Sequence, residues 1–134
     1  MTALTTIEGI GPALAEKLNA AGVDSCAALL SKGATAESRR QLCALTGIDE
    51  SSLQRFVNQA DLMRIRGVAG EYAELLEIAG VGSVPELAQR DPASLLATLM
   101  QVNAEKKLVR VTPGSGQIVK WVKQARALPR IVSR

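Results

Sequence analysis

Leu4-Thr-Thr-Ile-Glu-Gly-Ile-Gly-Pro-Ala-Leu-Ala-Glu-Lys-Leu-Asn-Ala-Ala-Gly-Val23 returns further along the chain as Leu62-Met-Arg-Ile-Arg-Gly-Val-Ala-Gly-Glu-Tyr-Ala-Glu-Leu-Leu-Glu-Ile-Ala-Gly-Val81. The offset is a constant 58 residues, and eleven of the twenty-six positions from 4 to 29 are identical without a gap. A match of that length marks a duplicated structural unit. Two units of roughly sixty residues also make physical sense, because one alone buries a marginal core. The sequence therefore divides into a first unit at 1–61 and a second at 62–134.

Helix punctuation runs through both copies. Pro12 after Gly11 suits the first turn of a helix reaching about Ala21 and stopped by Gly22. Asp24 or Ser25 caps a short helix to about Lys32, and Thr35 caps the next, which ends at Gly47. Asp49 opens a longer helix with Leu53, Phe56, Val57 and Ala60 on one face. In the second unit Ser83-Val-Pro-Glu86 has capping-box spacing, and Asp91-Pro92 reads as a cap followed by proline at the first helical position. A closing helix near 116–127 carries Ile118, Trp121, Val122 and Ala125, which match Leu53, Phe56, Val57 and Ala60 at an offset of 65. About seven residues are thus inserted in the second unit, near 103–116. The match with Phe56 places Trp121 in a core rather than on a base-stacking surface. A third, shorter echo, Leu128 to Ile131, is expected to cap the apolar end of the second unit.

The hydrophobic content of 47% comes from aliphatic residues, with one Trp, one Tyr and one Phe. Helix formers dominate and strand-like alternation is absent, so the expected class is all-α. No apolar run approaches the roughly 18 residues that span a bilayer, and no basic segment leads into an apolar one at the N-terminus. A cytoplasmic protein with no membrane partner is expected, with Cys26 and Cys43 as free thiols. The chain contains no histidine, which removes the commonest general base and metal ligand. No nucleophile–base pair, phosphate-binding lysine loop or zinc spacing is present. No catalytic residue, metal site, cofactor or small-molecule substrate is therefore assigned.

The spacing apolar-x-Gly-apolar-Gly at the mouth of a helix resembles the helix-hairpin-helix motif. Ile7, Gly9, Ile10, Gly11, Ala15 and Leu18 fit it fully. Ile65, Gly67, Val68, Ala73 and Leu76 fit as well, but Ala69 stands at the second glycine and Gly70 follows. The tandem arrangement resembles the double helix-hairpin-helix domains of DNA repair and recombination proteins. With Ala-Asp-Leu-Met-Arg-Ile-Arg-Gly-Val at 60–68 and Leu87, Arg90 and Pro92 beyond, the chain from 4 to 131 is similar to an uncharacterised bacterial family, a domain of unknown function. The resemblance implies two SAM-like units of about five short helices each. It also implies hairpin amides that hold a phosphate of duplex DNA without reading bases. Where DNA-binding relatives carry a cation just inside the second helix, this chain has Ala13 and Glu71.

Charge separates the copies. Residues 1–102 carry a net −4 and residues 103–134 a net +7. A basic end suits an anionic partner. The expected function is non-enzymatic, sequence-nonspecific binding of double-stranded DNA. The residues expected to take part are Gly9, Ile10, Gly11, Lys17, Arg64, Arg66, Gly67, Val68, Gly70, Lys106, Lys107, Arg110, Lys120, Lys123 and Arg126. The rival expectation is a protein-interaction or self-assembly module, joined through ends of opposite charge.

Overall fold

A computed structural model describes residues 3–133, and every regular element in it is helical. A single 3-10 turn, Leu4–Thr6, precedes α1 (Pro12–Ala20), α2 (Cys26–Lys32), α3 (Ala36–Thr46) and α4 (Glu50–Leu62). Then come α5 (Gly70–Ile78), α6 (Val84–Ala88), α7 (Pro92–Lys106) and α8 (Ser115–Ala127). Each copy of the repeat is thus built on four α-helices. The chain forms two compact units, one of residues up to Asp61 joined by those from Ile131 on, the other Leu62–Arg130.

In the first unit, side chains at the helix starts satisfy backbone N–H groups that have no partner within the helix. Ser25 accepts from Ala28 N at 3.1 Å. Thr35 and Ser38 form a reciprocal capping box, with bonds of 3.1 and 3.2 Å. Asp49 accepts from the backbone and hydroxyl of Ser52, and those bonds hold its carboxyl below the usual range. The core gathers Ile7, Ile10, Leu18, Leu29, Leu53, Phe56 and Val57. Cys26 lies in it as a free thiol whose pKa burial pushes up, and Cys43 is a half-buried free thiol.

Ser133 also packs in this unit. Ser133 N donates to Ala34 O at 2.7 Å. The buried Arg39 guanidinium donates to Gly33 O, Ala34 O and Ser133 O at 2.8, 3.1 and 2.7 Å. Of the pair expected to close the second unit, Leu128 does pack on that unit's core, whereas Ile131 is 37% exposed and lies in the segment that joins the first.

The second unit packs Leu62, Ile65, Val68, Leu76, Leu87, Leu95, Leu99 and Ile118 with Trp121. Asp91 caps α7, accepting from Ser94 N at 2.9 Å. Ser83 makes no side-chain cap bond; instead Glu86 reaches back to accept from Gly82 N at 2.9 Å. The inserted residues fall in two places. α7 has 15 residues against 11 in α3, the connection to the closing helix grows from three residues (47–49) to eight (107–114), and α6 is two residues shorter than α2, which leaves the net seven. Asn103 clamps that connection, with Nδ2 donating to Val109 O at 3.0 Å and Oδ1 accepting from Val109 N at 2.9 Å.

Lys107 ends α7 in the left-handed region at φ +53°. A side chain there costs about 1–2 kcal/mol, which glycine avoids at some expense in chain entropy. Lys107→Gly is therefore expected to gain about 0.5–1 kcal/mol of stability in urea denaturation.

Candidate functional site

The two hairpins are built alike. Ile10 N donates to Ile7 O and Val68 N to Ile65 O, each at 3.1 Å, so these turns use their own apolar residues' amides internally. Ile10 and Val68 side chains are buried. Gly9 and Gly67 sit at φ +96° and +92°, where a side chain is strained. A Cβ on Gly9 would also lie 2.9 Å from Phe56 Cε1, and one on Gly67 3.1 Å from Trp121 Nε1. Each closing helix thus lays its aromatic residue against the hairpin glycine.

The same helix also holds the preceding amide. Glu8 N donates to Gln59 Oε1 at 3.3 Å, and Arg66 N donates to Gln124 Oε1 at 2.9 Å. Gln59 and Gln124 stand 65 residues apart, the offset of the aromatic pair. Sequence reasoning missed this glutamine pair, although extending that offset by three residues would have found it.

What differs is the outward face. In the second unit Arg66, Gly67, Gln117, Lys120, Trp121, Lys123, Gln124 and Ala127 line an open groove of about 660 Å³. Three cations share it and no carboxylate lines it. Arg66, Lys120 and Lys123 are all exposed, and Trp121, itself buried, forms the floor. The matching positions of the first unit hold Glu8, Arg55 and Asn58. Gln59 is fully buried there, and its Nε2 has no partner among the described residues, whereas Gln124 is half-buried and opens on the groove. One architectural plan thus carries a basic face in one copy and a mixed one in the other.

The other expected residues are dispersed. Arg64 donates to Pro129 O at 2.8 Å and ties down the chain after α8. Arg126 Nε donates to Ala88 O at 3.1 Å, at the C-terminal end of α6, where the helix dipole favours a cation. Lys106 and Lys107 are exposed at the end of α7. Arg110 lines a separate cleft of about 420 Å³ with Glu71, Tyr72, Val109 and Val111. Lys17 is exposed in the last turn of α1. Gly11 is the exposed N-cap of α1, whereas Gly70 is buried as the first residue of α5, behind an Ala69 N-cap. Only Arg66, Gly67, Lys120 and Lys123 of the expected set converge on the groove.

Among the described residues no cluster of three or more His, Cys, Asp or Glu could hold a metal ion. No helix there is long and apolar enough to cross a membrane. No curated protein and no solved structure matches the chain. Residues 8–128 match a family described as a domain of unknown function, DUF4332. That match spans most of the chain, so this protein belongs to the DUF4332 family.

Proposed function

We propose that this protein is a cytoplasmic, non-enzymatic binder of double-stranded DNA, without sequence preference, working through its second hairpin unit. The observation that carries this reading is the gathering of Arg66, Lys120 and Lys123 along one groove beside the Gly67 turn, with no acidic side chain in the lining. Flexible cations suit phosphate oxygens, and phosphate contacts give affinity without base choice. Glu71, which would oppose a phosphate, lines the other cleft with Arg110. Exposed Lys106 and Lys107 add to the field of the same unit.

Neutralising about four phosphates gives a log–log salt slope near −4. Titrating a labelled duplex at several salt concentrations measures it. A slope near zero, or no binding at low salt, would refute the reading. A second reading, self-association, is favoured by one pair of residues. Glu8 and Arg66 occupy matched hairpin positions with opposite charge, which suits a head-to-tail contact between copies. Concentration-dependent oligomers by light scattering, with no duplex bound, would select it.

A further inference from the structure

The three cations of the groove exceed the charge of any single internal backbone phosphate. A phosphodiester carries one negative charge and is flanked by sugar on both sides. A terminal phosphomonoester carries about −1.5 to −2 at neutral pH, has three open oxygens and is free on one side. Arg66, Lys120 and Lys123 line a concave space of about 660 Å³, with the Gly67 turn and the Trp121 floor behind them. A recess of this size belongs to the range that takes small ligands. Gln117 and Gln124 add neutral amide donors to the same lining.

We infer that the groove of the second unit is a site for a terminal phosphomonoester, on the end of a nucleic-acid strand or on a free nucleotide. The inference rests on the phosphate-binding reading above and narrows its ligand. The three cations come from the hairpin and from α8, and the lining holds no histidine, cysteine or carboxylate. The pH response of the site therefore follows the ligand. The monoester loses its second charge below about pH 6, and its advantage over a diester falls with it.

The test compares two blunt duplexes of one sequence, 5′-phosphorylated and 5′-hydroxyl, by fluorescence anisotropy competition. One further charge against three exposed cations is expected to give about tenfold tighter binding of the phosphorylated duplex. The preference should shrink at about pH 5.5 and vanish in a Lys120→Gln, Lys123→Gln double variant whose helicity by circular dichroism is unchanged. Equal affinity for both duplexes, or a preference that survives the double variant, overturns the inference while leaving duplex binding intact. Failure to bind either duplex overturns the duplex reading as well. A nucleoside monophosphate that displaces the phosphorylated duplex, where the nucleoside does not, assigns the site to free nucleotides too. Retained end preference without such displacement assigns it to strand ends.

Discussion

Trp121→Ala is expected to remove about 3–5 kcal/mol of stability, the largest loss for any single truncation in the second unit. The ring is 1% exposed, and its centroid lies 5.5 Å from that of Tyr72 at 57°. It packs among helices of that unit and forms the floor beneath Gly67. Alanine would leave a cavity under the turn and loosen the glycine's support together with the core. Small domains hold only about 5–15 kcal/mol in all, so the melting temperature should fall by about 15 °C. Thermal denaturation followed by circular dichroism measures this, because the variant has lost the chain's single tryptophan. Trp121→Phe should cost much less, about 1–2 kcal/mol, since Phe56 fills the same place in the first unit. A loss under 1 kcal/mol for the alanine variant would mean that the closing helix is not what holds the hairpin.

Much of this architecture was legible because it is local or repeated. Caps at Ser25, Thr35, Asp49 and Asp91 need only a side chain and the amide three residues on. The 65-residue offset put Trp121 in the core by analogy with Phe56, and the structure places it there. The relation of the basic residues to one another was not legible. Lys120, Lys123 and Arg126 look equivalent along the sequence. Yet Arg126 turns toward Ala88 O, a partner 38 residues away, and only the two lysines meet Arg66 at the groove. Arg110 shares the composition of the basic region but joins Glu71 in another cleft. The packing of Ser133 was equally hidden. The contact between Arg39 and Ser133 spans 94 residues, and a segment as short as Ile131-Val-Ser133 has no periodicity to announce a partner.

Lys120→Glu combined with Lys123→Glu is expected to weaken duplex binding about a hundredfold at low salt, with the fold intact. Both side chains are exposed on α8, opposite the apolar stripe of Ile118, Trp121, Val122 and Ala125. Their replacement should therefore shift stability by less than about 0.5 kcal/mol. Each lysine removed forfeits a phosphate contact, and each glutamate added repels another. At surface values below about 1 kcal/mol per pair, four such steps approach 3 kcal/mol. The salt slope should become shallower by about two units as well, which separates a lost electrostatic contact from a misfolded protein. The repeat supplies the control. Arg55 is the counterpart of Lys120 in the first unit, beside Glu8 and Asn58 rather than Arg66 and Lys123. If the basic groove carries binding, Arg55→Glu should change duplex affinity less than about threefold. Equal losses from both variants would mean that the protein answers to its overall charge, and the groove would have no special part. A selective loss from the α8 variant would tie function to the groove face, where the second copy of the repeat is basic and the first is mixed in charge.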